Sequence, residues 1–373
     1  MINKITIQNF KCFSKKTEIQ LSNLTANVGA NSVGKSSLIQ ALLMSRQIFD
    51  IMCKYEGYKN DEFNINLNEE YALQLGDSEQ IMSSHDTNVI SIQLEDIRFK
   101  LRKNEHEQGA LIVNSENELE DLKEYGSVFG ADFCYLNAER LGPRNYQKMG
   151  YLDSSFCGYH GEYTFDVINR NQMEVVSKKR IFAFDNEKRI EKLGKQIEYW
   201  LSYIIPGVEI NFSSEQTMRL TQMQVSQPLF DTGFQSPNNF GFGISYVLPI
   251  VVMGLLLKKG AMLIVENPEA HLHPSGQSRI GYFLSQMATD NIQVVIETHS
   301  EHVINGIRIH SLKNVVEPSN LCINYFSVEE EGHVVSRVHL NKRMDIQSWP
   351  DGFFDQEEKD LKELRMLRKH ITN

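Results

Sequence analysis

Lys35 and Ser36 close the run Gly29-Ala30-Asn31-Ser32-Val33-Gly34-Lys35-Ser36-Ser37, whose spacing of glycines, lysine and hydroxyl suits the handling of phosphate. Glycines let the backbone wrap closely around an anion, and amides at the start of the next helix donate to its oxygens. Lys35 reaches the outer phosphates and Ser36 can ligate magnesium. Gly29, Asn31, Ser32, Gly34 and Ser37 complete the cradle. In a chain of 373 residues the pattern GxxxxGK[ST] arises by chance with a probability of about 1%. Here it also follows a strand-like run ending at Val28 and precedes a helix-like run, Leu38 to Cys53. ATP with magnesium is the expected ligand pair.

Further along, Ala261 to Glu266 is a fully apolar strand ending in a carboxylate. Magnesium needs hard oxygen ligands, so Glu266 is placed to hold it, through water, beside the Ser36 hydroxyl. Asn267-Pro268-Glu269-Ala270-His271-Leu272-His273-Pro274 follows. A helix from Ser275 to Ala288 then leads to a second apolar strand, Ile292 to Ile296, which ends in Glu297-Thr298-His299-Ser300. Adjacent parallel strands joined by a helix bring Glu266 and His299 to the rim that carries the phosphate loop. His271 and His273, an i, i+2 pair beside proline, lack zinc spacing even with Glu269 nearby.

Two other segments bear on this site. Ser236 to Ser245 is a loop with Gly241 and Gly243 that opens an apolar helix, Tyr246 to Leu257. Ser245 suits the N-cap and Pro249 the first turn, where a missing amide hydrogen costs nothing. Asn137 to Arg144 gathers polar groups after the strand Phe133 to Leu136. Arg140 or Arg144 reads there equally as a phosphate or coupling contact and as a surface salt bridge.

Short strands must position these residues: Ile5 to Ile7, Glu18 to Leu21 and Leu24 to Val28, with antiparallel runs at Val89 to Leu94, Ile97 to Leu101 and Ala110 to Val113. A helix with a basic outer face spans Asn186 to Ile205, downstream of Lys178-Lys179-Arg180. Leu321 to Val328 and His333 to Leu340 form a hairpin around Glu329-Glu330-Glu331-Gly332 that closes a sheet edge. Trp349-Pro350-Asp351-Gly352-Phe353-Phe354 docks a last helix, with Asp355 and Glu358 as a capping box and Arg365, Arg368 and Lys369 suiting its C-terminal dipole.

With 41% hydrophobic and 23% charged residues the chain can bury a sizeable core. A net charge of −10 argues against coating nucleic acid through bulk charge and leaves room only for a local nucleic-acid contact. Five scattered cysteines without a CxxC pair point away from zinc or disulfide frameworks and toward a reducing cytoplasm. No signal-peptide pattern opens the chain, and no apolar run is long enough to span a bilayer, so a membrane partner is not expected.

The ordered set Gly29 to Ser37, Phe240 to Ser245, Leu263 to Glu269 with His271-Leu272-His273-Pro274, and Glu297 to Ser300 resembles bacterial ABC-type ATPases of the AAA family, in the OLD-like, RecF-like and SMC-like branch. The resemblance is greatest to a subfamily whose C-terminal domain of unknown function carries Trp-Pro-x-Gly-Phe-Phe. It implies that ATP held by one subunit's phosphate loop is covered by another subunit's signature loop, here Gly241, Gly243 and Ser245, giving an ATP-gated dimer. It implies roles for Glu266 as the Walker B acid and for His299 as the switch histidine. Asn267 stands where a catalytic glutamate usually does. Asparagine cannot accept a proton, so Glu269 and Glu297 are the candidate bases, or turnover is slow. The resemblance also implies a role in defence against phage or other mobile DNA, beside a separately encoded effector such as a nuclease.

The expected fold is α/β, an ABC-type P-loop NTPase head with a mixed β-sheet flanked by helices, an inserted α+β lobe and a small C-terminal helical element. The expected core comprises 1–53, 131–157 and 236–340, the lobe 54–130 and 158–235, and the C-terminal element 341–373. Two other functions are open: an ATP-loaded scaffold that holds an effector inactive with little turnover, and a P-loop small-molecule kinase, which would leave Gly241 to Ser245 and His299 without a task.

Overall fold

The computed structural model describes residues 1–55, 62–83, 87–150, 155–182, 190–227, 232–330, 332–348, 350 and 352–369. The chain opens with β1 (Lys4–Gln8), β2 (Thr17–Gln20), β3 (Leu24–Gly29) and α1 (Lys35–Lys54). Next come β4 (Phe63–Asn66), β5 (Val89–Leu94), β6 (Ile97–Lys103), β7 (Ala110–Ser115), α2 (Leu119–Tyr125) and β8 (Phe133–Leu136). The middle holds β9 (Tyr146–Lys148), α3 (Thr164–Asn171), α4 (Leu193–Ile204), β10 (Glu209–Glu215), β11 (Leu220–Gln227) and β12 (Thr232–Gln235). The last part contains α5 (Phe242–Leu256), β13 (Met262–Glu266), α6 (Pro274–Ala288), β14 (Gln293–Glu297), α7 (Glu301–Lys313), β15 (Leu321–Glu329), β16 (Gly332–Val338) and α8 (Gln356–Lys369).

The central sheet has the order β16-β15-β3-β14-β13-β8. All neighbours are parallel except the edge strand β16, which returns antiparallel on β15. Parallel strands covered on both faces read as continuous apolar runs, as Met262 to Val265 and Val294 to Ile296 do. Alternate side chains of these strands enter different cores. Met262, Ile264 and Val295 join α1, whereas Leu263, Val265, Val294 and Ile296 join α5, α6 and α7. The phosphate-loop helix and the helix after the signature loop thus lie on opposite faces of one sheet.

The six-stranded antiparallel sheet β2-β1-β5-β6-β7-β4 covers α1 from outside. Its strands alternate, as in Ile97-Arg98-Phe99-Lys100-Leu101, where every second residue is buried. Of the two segments expected to form one lobe, the first therefore extends the N-terminal sheet. The second builds a small α+β unit: β10-β11-β12 with β9 paired to β11, packed with α3 and α4 on the core that also holds α5.

Three local expectations change. The helix expected from Asn186 begins at Leu193; positions 186–189 lie outside the described residues. In the basic run upstream Lys178 and Lys179 are exposed, whereas Arg180 is buried with its Nε 2.8 Å from Asp290 and its Nη1 on the carbonyls of α5's last turn. The helix expected from Tyr246 starts at Phe242, with Gly241 as N-cap, which moves Ser245 inside the first turn and Pro249 into the interior. A proline there withdraws the amide that would bond the Ser245 carbonyl. At the C-terminus Phe353 is buried edge-on against Tyr325, while Trp349, Asp351 and Glu331 lie outside the described residues.

Candidate functional site

β3 delivers the chain to the phosphate loop, and two glycines there hold conformations that an L side chain resists. Gly29 has φ 145 and Gly34 φ 110, and a Cβ on Gly34 would stand 2.5 Å from the Cys12 sulfur. α1 begins at Lys35 with no side chain capping it, which leaves its first amides free for an anion. Asn31, Ser32 and Ser36 are exposed, and Ser37 is buried behind them. Lys35 is only 3% exposed; its Nζ donates to the carbonyls of Gly29 and Ala30 and stands 3.9 Å from Glu297. These residues fit a nucleotide's phosphates: the loop is shaped, the amides are uncommitted, and the lysine sits on weak partners it can leave.

The acids come from neighbouring strands. β14 lies between β3 and β13, and Glu266 and Glu297 are opposite each other in register. It is Glu297 that meets the phosphate loop: the Ser36 Oγ donates to its two oxygens at 2.9 and 3.2 Å. Burial pushes the Glu297 carboxyl up from 4.5 to about 7, with the Glu266 charge adding to it and Lys35 and Ser36 opposing. Glu266 stands one strand further out and accepts from the Tyr135 hydroxyl at 3.0 Å. Its carboxyl is also raised, chiefly by burial. Ser36 and Glu266, the expected magnesium pair, do not touch; the acid in contact with Ser36 is Glu297, on the strand between them.

Glu269 turns to the next loop, accepting from the Thr298 hydroxyl and the His299 amide, both at 2.7 Å. His299 is exposed, and burial of its ring with the Lys35 charge holds the imidazole below its ordinary value, so it is neutral at pH 7. Asn267 adopts φ 45, and its amide donates to the Glu297 carbonyl at 2.9 Å.

Arg140 binds neither phosphate nor a surface acid. It is 3% exposed, and its guanidinium donates to the carbonyls of Tyr246, Asn137, Glu266 and Asn267 at 2.6–3.0 Å. It also lies over the Tyr246 ring, 5.3 Å from the centroid. One side chain thus ties the end of β8 and the end of β13 to the first turn of α5. Arg144 is exposed. His271 is held between the rings of Phe242 and Tyr246, at 5.0 and 4.5 Å, and His273 caps α6 by accepting from the Ser275 amide. Gly241 and Phe242 face solvent, whereas Gly243 is buried where a Cβ would press on the His271 carbonyl.

Sequence reasoning missed Tyr135 and Thr298, which hold Glu266 and Glu269. Tyr135 was legible only as one residue of a buried strand, although a phenol beside three apolar neighbours is itself a signal that the hydroxyl has a partner.

The chain is 21% identical over 369 residues to a protein of Thermus scotoductus named OLD nuclease, covering 92% of this chain and 68% of that one. Among solved structures, an SMC head bound to the C-winged helix domain of ScpA shares the fold, with a TM-score of 0.55 and 13% identity over 92% of this chain and 99% of that one. Residues 316–364 match a family described only as a protein of unknown function, DUF3696. Residues 1–141 and 161–304 match the family described as AAA ATPase domain, and the chain belongs to that family, with a P-loop head that has the fold of an SMC head.

Proposed function

We propose that this ATPase works as an ATP-gated dimeric switch, in which nucleotide on the phosphate loop of one copy is closed over by Gly241, Phe242 and Ser245 of another. The observation that carries this reading is the placement of α1 and α5 on opposite faces of the central sheet, with the uncapped N-terminus of α5 exposed. An uncapped helix start favours anions, and α5 lies on the face of the sheet opposite the phosphate-loop helix. A small-molecule kinase would give that surface no task.

Within one site, Ser36, Glu297 and Glu266 would hold magnesium, which supplies positive charge to phosphate oxygens when bound. Lys35 leaves the Gly29 and Ala30 carbonyls for the outer phosphates. Asn267 orients the attacking water, and Glu269 accepts its proton while bracing the His299 loop, so that the neutral His299 reads the terminal phosphate. Each oxygen of Glu269 accepts a hydrogen bond, from the Thr298 hydroxyl or the His299 amide, and keeps a further lone pair. Asn267 also favours a second reading, a slowly turning ATP-bound scaffold. The relative named OLD nuclease supports work beside nucleic acid, and the proposal extends this to a separate effector and to defence against phage or other mobile DNA.

Lys35→Ala tests the switch. Loss of both ATP-dependent dimerisation, followed by sedimentation, and phosphate release is expected, and a variant that hydrolyses normally overturns the reading. Turnover of several per minute in the parent protein excludes the scaffold.

A further inference from the structure

Every described side chain from Gln356 through Arg368 in α8 is exposed, and Leu361, Leu364, Met366 and Leu367 stand 46–55% open. At 3.6 residues per turn, Leu361, Leu364 and Leu367 share one face, bordered by Glu357, Asp360 and Arg368. A four-turn helix is marginal by itself in water and is normally held by packing of its apolar stripe. The charges on α8 are ordered. The first half carries Glu357, Glu358 and Asp360 against two lysines, and the second carries Arg365, Arg368 and Lys369 against one glutamate.

That order is self-complementary when the helix is reversed. Set antiparallel on a copy of itself about a dyad between positions 362 and 363, α8 brings Leu361 opposite Leu364, Lys362 opposite Glu363, Asp360 opposite Arg365 and Glu357 opposite Arg368. A parallel pair would set acid on acid and base on base. We propose that α8 is a self-pairing helix, whose partner is α8 of a second copy of this chain in an antiparallel, two-fold arrangement. Gln356 and Glu357 line a concavity of about 350 Å³ that also touches Glu269 and His299, so the paired helices would border the nucleotide site. The contact is small. It acts as a weak tether that raises the local concentration of a second head, independently of nucleotide.

Two full-length variants test this by sedimentation velocity, without nucleotide and in the Lys35→Ala background, which separates α8 pairing from any ATP-gated contact. Glu357→Arg with Asp360→Arg makes positions 357, 360, 365 and 368 all basic, and Arg365→Asp with Arg368→Glu makes the same four all acidic. The parent is expected to self-associate in the micromolar range, each variant alone at least tenfold more weakly, and a mixture of the two to form heterodimers at least as tightly as the parent. A parent that stays monomeric through the millimolar range, a variant that self-associates like the parent, or a mixture that does not pair overturns the proposal. A helix that merely unfolded in the variants could not give the heterodimer.

Discussion

Replacing Glu297 with glutamine removes the charge from the buried carboxylate that meets Ser36 while keeping an oxygen for the Ser36 hydroxyl. Folding raises this carboxyl from 4.5 to about 7, so the folded chain prefers it protonated. That preference favours the fold fully below pH 4.5 and is lost as pH rises through 7. Glutamine resembles the protonated form at every pH. At about 1.4 kcal/mol per tenfold change, Glu297→Gln should stabilise the nucleotide-free protein by about 3 kcal/mol at pH 8, and by less than about 1 kcal/mol at pH 5. Relaxation around the charge lowers the first figure toward about 1–2 kcal/mol without changing its sign. Urea unfolding at the two pH values, in chelator and without nucleotide, reads the difference, because titrating groups remote from Glu297 cancel between variant and parent. The same variant should lose magnesium-dependent ATP binding. Equal stability of the two proteins at pH 8 would refute the argument, since Glu297 would then ionise as an ordinary surface acid.

Glu269→Gln should keep magnesium-dependent ATP binding and lose about 10²- to 10⁴-fold in phosphate release, the usual worth of a general base; unchanged turnover would move that role elsewhere. Arg140→Ala strands the carbonyls of Tyr246, Asn137, Glu266 and Asn267, and loss of about 3–5 kcal/mol in urea unfolding is expected, because a buried network has been broken. Arg140→Lys, whose ammonium lacks the planar fork, should recover only part of it. Gly34→Ala meets both the positive φ and the Cys12 sulfur, and should cost at least about 1–2 kcal/mol and nucleotide affinity together. Adding Cys12→Ala removes only the steric part, so a fluorescent-nucleotide titration of the double variant should recover some affinity.

Local chemistry made most of the core readable. The phosphate loop, the two apolar strands that end in acids, and the hairpin at the sheet edge each depend on residues close in sequence, and each stands in the expected place. Which acid touches Ser36 depends instead on strand order: β14 lies next to β3, and β13 one step further. No spacing along the chain encodes that adjacency. The start of α5 was misread because Ser245 is the better cap by residue type, whereas Gly243 is needed inside the helix for close approach to the His271 carbonyl. Packing decided between two plausible caps. Arg140 stood near the right elements, yet its donors go to backbone carbonyls, which a sequence does not display.

With magnesium held as proposed, Glu266 and Glu297, side by side in register, would also make the site an exchanger of protons for cations. In a nucleotide-free molecule near neutrality Glu297 holds a proton for a good part of the time. Binding of a divalent ion between the acids would displace it, so uptake of magnesium with ATP would carry a proton stoichiometry set by the pH of the medium. Acidification then weakens loading through simple competition, with no change of shape required, and the heat of binding should vary with the ionisation enthalpy of the buffer. The spacing of two neighbouring strands thereby ties the loading of this ATPase to the pH around it.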